Sequence, residues 1–361
     1  MIINKIKIEN FRNYTEEEIL FTNKINYILG DNAQGKTNLL ESIFFILNNE
    51  SFKNIKEEEL FNENNKLKQF NITLEIINDN KKYSIELNKN ENKKNYKING
   101  VKRDFKNKII KTILFIPDDL QIVKEGPGKR RDFLDNEIKI LFPNYKNLIK
   151  NYYKLLSQKN YLLKNRRDKN LIRTFNIQLA ENGKEIIKYR LFFLKNITPI
   201  ARNTYNTISE KNEILSINYK PSFNFNNYEE ELELNLENEL LRKQSLIGIH
   251  RDDIIFYING KNIKSFASQG QQRSVVLSLK IAELKYLKKY YNYFPILLLD
   301  DVFSELDEKR KNMLIRILRE NNIQSFITLA NIELIKNQIN ENDKIIKINN
   351  GKIEENIIIG K

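Results

Sequence analysis

The sequence contains no cysteine and a single histidine, and its 361 residues include no long hydrophobic run. Without cysteine the chain can form no disulfide, no thiolate metal site and no cysteine nucleophile. The densest apolar stretch, residues 294–300, is far shorter than the roughly 18 residues that indicate a membrane span. The first residues also lack the apolar segment and small-residue cleavage site of a secretory signal. These absences predict a cytoplasmic protein without a membrane segment.

The charge of the chain is strongly positive, with a formal net charge of +14 from 61 basic and 47 acidic residues. Its hydrophobic content of 40% and charged content of 30% are typical of a globular protein. A basic balance favours an anionic partner, and nucleic acid is the first candidate. Lysine, asparagine and isoleucine are abundant throughout, however, and a biased base composition of the genome would also produce that pattern. The charge alone therefore leaves DNA binding open.

Residue periodicity predicts a sheet and a helix in the first third of the chain. Alternating apolar residues indicate strands at residues 5–9, 25–29 and 70–76. Apolar residues at helical spacing indicate an amphipathic helix at residues 37–47. An Asn-Gly pair at residues 99–100 is typical of a hairpin turn, so part of this sheet is predicted to be antiparallel.

The middle of the chain has a different character. Glycine is scarce between about residues 128 and 210, where long charged helices are predicted. Sheet patterns return later, with Asn-Gly hairpin turns at residues 259–260 and 350–351. The continuous apolar run at residues 295–299 is typical of a strand buried on both faces. A helical block is therefore predicted to interrupt an α/β domain.

The segment at residues 30–37 matches the phosphate-binding pattern G-x-x-x-x-G-K-[ST]. Glycine allows backbone N–H groups to close around phosphate oxygens, and the following helix N-terminus carries a partial positive charge. In this pattern Lys36 reaches the β- and γ-phosphates of ATP, and the Thr37 hydroxyl binds Mg²⁺. The alternative is an ordinary strand-to-helix turn. The predicted nucleotide-binding residues of the loop are Gly30, Asp31, Asn32, Ala33, Gln34, Gly35, Lys36 and Thr37.

Two adjacent carboxylates follow the continuous apolar strand. Asp300 ends that strand, where a buried carboxylate is costly unless it binds a metal or accepts hydrogen bonds. We therefore predict that Asp300 holds the magnesium together with Thr37. Asp301 follows directly and is a candidate for orienting or deprotonating the attacking water. The alternative is that the two acids simply begin a loop.

Three segments together resemble the ABC-type ATPases of the SMC class: the phosphate loop, the polar segment at residues 265–274 and the acidic strand end at residues 296–307. In that class the polar segment is the signature motif, which closes over the γ-phosphate bound by a second copy. The resemblance implies that Ser268, Gly270 and Gln271 contact this phosphate, as anion binding at a helix N-terminus predicts. Since one chain would then complete no site alone, it also implies an ATP-dependent homodimer.

Longer motifs resemble the RecF family of bacterial DNA repair and replication proteins over nearly the whole chain. The segments that carry the resemblance are IENFRNY at residues 8–14, IPDDLQIVKEGPGKRRDFLD at 116–135, NIQLAENGKEIIKYR at 176–190 and IGIHRDDIIFYING at 247–260. This resemblance implies an ATP- and Mg²⁺-dependent homodimer that binds DNA at single-strand gaps and duplex junctions without reading base sequence. It further implies that the protein helps RecA load with RecO and RecR, and acts in gap repair and SOS induction.

The resemblance also assigns roles to single residues. It implies catalytic roles for Lys36, Asp301 and Ser268, and contact with the nucleotide for Arg12. Most ABC ATPases carry glutamate at the position of Asp301, and the shorter side chain predicts slow hydrolysis of ATP to ADP and phosphate. The resemblance implies that this hydrolysis is DNA-dependent.

A further set of residues is assigned less directly. Ser304 and Asp307 resemble the segment that contacts the other subunit. Gln121 is a weak match to the glutamine that approaches the nucleotide in ABC ATPases. His250 and Arg251 are open between a structural role and a role at a domain interface.

The fold implied by the resemblance is an ABC-type P-loop ATPase head of the α/β class, with a mixed sheet that has an antiparallel part and an inserted, mostly helical second lobe. Residues 1–127 and 245–361 are predicted to form the ATPase domain, and residues 128–244 the lobe.

Two basic runs are candidates for contact with DNA phosphates. For any single residue the favoured alternative is a solvated helix face. The candidates are Lys129, Arg130 and Arg131 in the first run, and Lys164, Arg166, Arg167 and Lys169 in the second.

Other classes fit the sequence less well. SMC proteins require long coiled-coil arms between the phosphate loop and the signature, and a zinc-hook arm requires cysteine. Transport ATPases usually carry a histidine near the γ-phosphate after the acidic segment, where this chain has Thr328. An ABC-type ATPase of a transport or chaperone-like machine remains the alternative. A DNA-binding structural protein with a decayed ATPase is a second one.

Overall fold

The computed structural model describes residues 1–53, 55–79, 81–104, 110–165, 168–209 and 213–359. The chain divides into two compact units. The first unit consists of Met1–Pro117 and Lys288–Lys361, and the second unit consists of Asp118–Leu287.

The secondary-structure elements are numbered in chain order. The strands are β1 (Ile2–Phe11), β2 (Tyr14–Leu20), β3 (Ile25–Leu29), β4 (Gln69–Asn78), β5 (Lys81–Asn90), β6 (Lys94–Ile98), β7 (Val101–Lys102), β8 (Thr112–Phe115), β9 (Leu215–Lys220), β10 (Asp253–Ile258), β11 (Lys261–Asn262), β12 (Ile296–Leu299), β13 (Ser325–Leu329), β14 (Lys344–Asn349) and β15 (Lys352–Ile358). The α-helices are α1 (Lys36–Asn48), α2 (Pro127–Leu141), α3 (Pro143–Asn165), α4 (Lys169–Ser209), α5 (Tyr228–Leu234), α6 (Leu236–Arg242), α7 (Ile263–Phe266), α8 (Gln269–Tyr291) and α9 (Glu308–Glu320). Short 3₁₀ helices cover Glu57–Leu60, Pro117–Gln121, Phe225–Asn227, Val302–Glu305 and Ile332–Gln338.

The first unit contains a mixed sheet of strand order β15-β14-β3-β13-β12-β8. Its five strands from β14 to β8 run parallel, and β15 is antiparallel at the edge. In the register of this sheet Leu29 pairs with Leu329, and Leu299 pairs with Ile327 and Phe115. The carboxyl ends of β3, β12 and β13 therefore meet at one edge, which is where ligands bind in parallel α/β sheets.

An antiparallel sheet of order β2-β1-β4-β5-β6-β7 completes the first unit. Its inward positions alternate along β4, where Phe70, Ile72, Leu74 and Ile76 are fully buried. Helix α1 contacts strands of both sheets, and its apolar residues belong to the same hydrophobic core as theirs. This packing fixes the helix that follows the phosphate loop.

The second unit combines helices with a small antiparallel sheet of order β11-β10-β9. Helix α4 packs along α3 and β9, and α2 packs on β10. Arg190 of α4 is fully buried and donates two hydrogen bonds of 2.9 Å to the Asp135 carboxylate of α2, and a third bond of 3.0 Å to the Ile249 carbonyl. A buried charge requires such pairing, so this network ties α2, α4 and the segment before β10 together.

The predicted elements are confirmed over the described residues. The three predicted Asn-Gly hairpin turns all form, and both residues of each have positive φ, as in Asn350 (49°) and Gly351 (72°). The predicted α/β fold with a mixed sheet and an antiparallel part is also confirmed. Across the described ranges no helix is both long and apolar enough to cross a bilayer.

The boundaries of the two compact units differ from those of the predicted domains. Residues 118–127 and 245–287, which we predicted to lie in the ATPase domain, belong to the second unit. The reason is that β10 pairs with β9, and Lys280 of α8 forms a buried ion pair with Glu137 of α2. Pairing between distant segments cannot be read from local composition, and the predicted domain boundaries stay a prediction.

Candidate nucleotide site

The phosphate loop connects β3 to α1 in the first unit, and its backbone requires glycine at two positions. Gly30 and Gly35 have φ values of +154° and +116°. A Cβ atom at Gly30 would collide with the Ile348 carbonyl oxygen, and one at Gly35 would lie 2.7 Å from Asn13 Nδ2. Both the φ values and the close neighbours exclude larger residues, so the pattern found in the sequence has a structural cause here.

Lys36 and Thr37 begin α1 and point their polar atoms in different directions. Lys36 Nζ donates hydrogen bonds to the carbonyl oxygens of Gly30 (2.6 Å) and Asp31 (2.7 Å). Burial lowers the pKa of Lys36, while the nearby carboxylates of Asp301, Asp300 and Asp31 act in the opposite direction. The ammonium group is thus held across the mouth of the loop, within reach of an anion bound there.

The Asp300 carboxylate lies beside the phosphate loop, as the register of the sheet requires. Its Oδ1 atom accepts hydrogen bonds of 2.9 Å from the hydroxyls of Thr37 and Thr328. Burial raises the pKa of Asp300, and the bonds from Thr328 and Thr37 counteract part of that rise. A hydroxyl and a carboxylate in contact are the protein ligands that a P-loop offers to Mg²⁺, which keeps its other positions for water and phosphate oxygens. The residues present therefore fit the metal.

Asp301 begins the 3₁₀ helix at Val302–Glu305 in a left-handed conformation, with φ of +51°. Its N–H group donates to Thr328 Oγ1 at 2.8 Å, and its carbonyl accepts from Ser304 Oγ at 2.7 Å. Its side chain is exposed. Asp307 caps α9 by accepting a hydrogen bond of 3.0 Å from the Arg310 N–H group. The Thr328 hydroxyl thus connects the Asp300 carboxylate to the backbone of Asp301, which explains why Thr328 lies beside these two residues.

Two turns hold the phosphate loop from outside, and sequence reasoning missed the contacts of both. The turn between β1 and β2 contributes Asn13 Nδ2, which donates to the Gln34 carbonyl at 3.1 Å, and the Tyr14 hydroxyl, which donates to the Gly35 carbonyl at 3.0 Å. The turn between β14 and β15 contributes the Gly351 N–H, which donates to the same Gln34 carbonyl at 2.8 Å, and the Asn350 N–H, which donates to Gln34 Oε1 at 2.6 Å. The Asn-Gly pair signalled the second turn, but no local signal shows what it touches.

Replacing Gly351 with alanine is expected to weaken this support. The residue has a φ of +72°, and a Cβ atom there would collide with the Asn13 backbone. The strained turn should cost about 1–3 kcal/mol of stability and displace Gln34, so ATP affinity should fall together with the melting temperature. Calorimetric titration of ATP and thermal melting measure the two effects. Gly100→Ala is the matched control, because Gly100 has the same turn conformation (φ +76°) with open space around its Cβ position. Equal effects of the two substitutions on ATP affinity would contradict the prediction.

Arg12 lies near the loop but is bound to protein groups. Its guanidinium donates two hydrogen bonds of 3.0 Å to the carboxylate of Glu41, a fully buried residue of α1, and a third bond of 2.8 Å to the Glu59 carbonyl. The bidentate pair fixes the β1–β2 turn against α1. Contact of Arg12 with the nucleotide stays a prediction.

The signature segment lies in the second unit, at the exposed start of α8. The Ser268 hydroxyl accepts a hydrogen bond of 3.2 Å from the Gln271 N–H, and Gln271 Oε1 accepts one of 3.0 Å from the Ser268 N–H. This reciprocal pair is a capping box. Gln271 Nε2 also donates to Glu213 Oε1 at 3.0 Å. Ser268 is exposed and Gly270 is half-buried, so the helix N-terminus faces solvent, the arrangement that anion binding requires.

The basic residues predicted to contact DNA have different surroundings. Lys129 is exposed. Arg130 is a correction: its side chain is only 8% exposed and forms a bidentate pair with Asp253 at 2.7 and 2.9 Å, so it is not available to a phosphate. Arg131 is half-buried and donates to the Asp252 carbonyl at 2.6 Å. Lys164 is exposed at the end of α3, Lys169 pairs with Glu237 at 2.6 Å, and Arg166 and Arg167 lie outside the described residues.

The residues with open roles lie in the second unit. His250 Nδ1 lies 3.0 Å from the Tyr152 hydroxyl, and burial lowers the pKa of His250 to about 3. The imidazole is therefore neutral and belongs to a buried hydrogen-bond network. Arg251 donates to the Ser245 carbonyl at 3.1 Å, and Gln121 is exposed at the end of a 3₁₀ helix. Within the described ranges no three His, Cys, Asp or Glu residues are grouped so as to hold a metal by themselves.

This fold and site define an ABC-type ATPase head of the SMC class, because the phosphate loop and the Asp300 carboxylate share one sheet edge while the signature segment starts a separate buried helix. Residues 2–354 match the RecF/RecN/SMC N terminal domain family. The chain is 36% identical to the DNA replication and repair protein RecF of Alkaliphilus oremlandii (strain OhILAs), over 98% of this chain and 100% of that protein. It is 34% identical to the RecF of Bacillus cereus (strain G9842), over 98% of each. The chain therefore belongs to the RecF family.

Solved structures agree with this assignment. A structure described as the recombination mediator protein RecF-ATP in the RecFOR pathway is 33% identical, has a TM-score of 0.84 and covers 98% of this chain and 97% of its own. The corresponding RecF-ATPrS structure has a TM-score of 0.86 at 33% identity, with 99% and 98% covered. The Smc head domain from Pyrococcus furiosus, at 14% identity and a TM-score of 0.58, covers 99% and 96% and shares the fold. The predicted class of ABC-type ATPase head is thereby confirmed.

Proposed function

We propose that this protein is an ATP-dependent DNA clamp of recombinational repair, which dimerises around two molecules of ATP-Mg²⁺ and binds DNA at single-strand gaps. The observation that carries the proposal is the contact between the Thr37 hydroxyl and the Asp300 carboxylate beside a complete phosphate loop. The relatives described as RecF-ATP and RecF-ATPrS support ATP as the nucleotide.

The phosphate loop binds the β- and γ-phosphates through its N–H groups and Lys36. Thr37 and Asp300 would hold Mg²⁺, whose charge would offset that of the phosphates. Burial raises the pKa of Asp300, and a cation held there would favour its ionised form. Asp301, fixed through Thr328, orients the attacking water. Its side chain is one methylene shorter than glutamate, so hydrolysis is slow.

Dimerisation follows from the position of the signature segment. The start of α8 offers the Ser268 hydroxyl, the Gly270 backbone and a helix N-terminus to an anion in solvent. We propose that this anion is the γ-phosphate bound by a second copy, with Ser304 and Asp307 contacting the same partner. ATP then stabilises the dimer by linkage, because it binds the dimer more tightly than the separate chains.

Binding to DNA rests on charge and on the family. The net charge of +14 favours association with phosphates, and Lys129 and Lys164 are exposed lysines of the predicted runs. The named relatives are DNA replication and repair proteins, and two similar solved structures are described as the recombination mediator RecF in the RecFOR pathway. We therefore propose that the protein acts in the cytoplasm with RecO and RecR, helps load RecA at gaps and contributes to SOS induction.

A gel shift with gapped duplex DNA tests the proposal. We expect the wild type to bind gapped DNA more tightly with ATP-Mg²⁺ than without it, and its affinity to fall steeply with added salt. The Lys36→Met variant should bind the DNA with the ATP-free affinity in both conditions. The ATPase activity of the wild type should increase when the same DNA is added. Absence of DNA binding at low salt in both nucleotide states would overturn the proposal and favour a non-DNA machine.

A further inference from the structure

Helix α8, which begins at the signature segment, contains buried charges. Every residue from 274 to 284 is buried, so the helix is surrounded on all its sides. Two of these residues, Lys280 and Glu283, are ionisable, and their side chains are 5% and 3% exposed. Charges buried to this extent persist only when partners compensate for the lost water. Their partners therefore decide how the helix is held.

Lys280 connects α8 to two other elements of the second unit. Its Nζ atom lies 2.9 Å from Glu137 Oε1 of α2 and 3.5 Å from Asp119 Oδ2 of the 3₁₀ helix at Pro117–Gln121. It also lies 3.9 Å from Glu283 Oε2 and 5.1 Å from the centre of the Phe133 ring. Burial lowers the pKa of Lys280, but the charges of Asp119 and Glu137 raise it by more, so the residue is an ammonium ion.

Among the described residues the cluster holds three carboxyl groups and one cation, and ionisation of both Glu137 and Glu283 would place two buried negative charges beside the single charge of Lys280. Glu137 Oε2 and both carboxyl oxygens of Glu283 are buried without a hydrogen-bond donor among the described residues. A proton on Glu283 supplies the missing donor and removes one charge. Burial, with the charge of Glu137 next, raises the pKa of Glu283 well above its ordinary value, and Lys280 only partly opposes this.

Because Lys280 and the signature segment lie on the same helix, the ion pairs of Lys280 also affect the position of the signature segment. Lys280 follows Gly270 by ten residues on one helix, a separation of about 15 Å. An uninterrupted helix that is packed on all sides moves as one body, so a fixed point at Lys280 also fixes the capped N-terminus at Ser268 and Gln271.

We propose that Lys280 is a positioning residue for the signature segment, and that Glu283 carries the proton that lets Asp119, Glu137 and Lys280 hold α8 in place. Lys280 acts on the nucleotide of a second copy through the helix and does not touch it. The inference rests on the proposed ATP-dependent dimer. It adds that the ion pairs of Lys280 hold α8, and with it the signature segment, in the position and orientation needed to contact that nucleotide.

The test compares Lys280→Met with the double variant Lys280→Met/Glu137→Gln. The single variant leaves the buried Glu137 carboxylate without its ammonium partner, so its melting temperature should fall by roughly 5–15 °C. The double variant removes that carboxylate charge as well and should regain most of the loss. Both variants should bind ATP like the wild type by calorimetry, because the phosphate loop lies in the first unit. Both should lose about tenfold or more in ATP-dependent dimer affinity, measured by sedimentation.

Lys289→Met is the matched control, since Lys289 is an exposed lysine of the same helix. It should leave melting temperature, ATP binding and dimerisation unchanged. A double variant that dimerises like the wild type would overturn the positioning role and leave only a structural ion pair. Failure of the wild type itself to dimerise with ATP would instead overturn the proposed function, so the two failures are distinguishable.

The Glu283→Gln variant tests whether Glu283 carries the proton. Glutamine reproduces the shape and donor of a protonated acid, so this variant should dimerise like the wild type at neutral pH. A raised folded-state pKa makes the wild type lose stability as the pH rises from the ordinary value of 4.5 towards the raised one, with Asp119, Glu137 and Lys280 facing the group. The melting temperature of Glu283→Gln should therefore fall less over that range. Loss of dimerisation in this variant, or an unchanged pH dependence, would overturn the assignment of the proton to Glu283.

Discussion

Replacement of Ser268 by arginine is expected to abolish ATP-dependent dimerisation and to leave ATP binding intact. Ser268 lies exposed at the start of α8, in the second unit, while the phosphate loop belongs to the first. Arginine is much larger than serine, and it would occupy the space in which the proposed partner nucleotide meets the helix N-terminus. It would also remove the hydroxyl that accepts the Gln271 N–H.

Loss of that cap should cost about 0.5–2 kcal/mol of stability, which is too little to unfold the protein. Sedimentation with ATP-Mg²⁺ should therefore show a folded monomer, and calorimetry should show wild-type ATP affinity. Ser268→Thr is the matched control, because threonine retains both the hydroxyl and the cap, and it should still dimerise. An ATP-dependent dimer of Ser268→Arg would show that the signature segment does not lie at the subunit interface.

The second large effect is expected for Lys36→Met, which should lower ATP affinity by roughly 100-fold or more. The ammonium group already reaches across the loop to the Gly30 and Asp31 carbonyls, and phosphate oxygens would replace those acceptors. Hydrogen bonds to charged groups contribute about 1.5–3 kcal/mol each. The loss of two such hydrogen bonds corresponds to roughly 3–6 kcal/mol, which lowers the affinity for ATP by a factor of at least about 100.

Methionine keeps the length and packing of the lysine side chain, and burial already disfavours the ammonium ion, so the folded state should tolerate the change. Calorimetric titration with ATP-Mg²⁺ measures the loss. The matched control is Lys24→Met, which removes the same charge beside the other end of β3, where Lys24 bonds to Asn322. Unchanged ATP affinity of Lys36→Met would exclude the loop as the nucleotide site.

Comparison of the two variants separates ATP binding from ATP-dependent dimerisation. Lys36→Met should fail both to bind ATP and to dimerise, whereas Ser268→Arg should fail only to dimerise. Mixing the two variants provides a further test, because each chain supplies what the other lacks. In a mixed dimer the Lys36→Met chain contributes an intact signature to the nucleotide bound by the Ser268→Arg chain, so one of the two composite sites is restored.

Local sequence was sufficient for those features whose physical cause is local. Alternation in β4 follows from a strand with one buried face, and the three Asn-Gly hairpin turns follow from the positive φ values that those residues adopt. The glycines of the phosphate loop are required by backbone conformation, so they stand out in the sequence. Asp300 could be placed because a carboxylate at the end of a buried strand needs a partner, and the structure provides Thr37 and Thr328.

Features that depend on contacts between distant segments could not be predicted in this way. A basic run suggested that Arg130 binds DNA, but the side chain is buried against Asp253, more than a hundred residues further along the chain. The partner of Arg12 is Glu41, and the turn at Asn350 and Gly351 meets Gln34 from the opposite end of the sequence.

The sequence by itself determined the phosphate loop, the acidic strand end, the polar signature segment and membership of a class of ATPase, because each depends on residue types at short, fixed spacing. Only the tertiary structure decided that Ser268 and Gln271 form a reciprocal helix cap, that two remote turns support the loop, and that Lys280 is enclosed by three carboxyl groups. The physical reason is that hydrogen bonds and ion pairs in the interior are formed by whichever groups the packing of the sheets and helices brings together, and sequence distance plays no part in that selection.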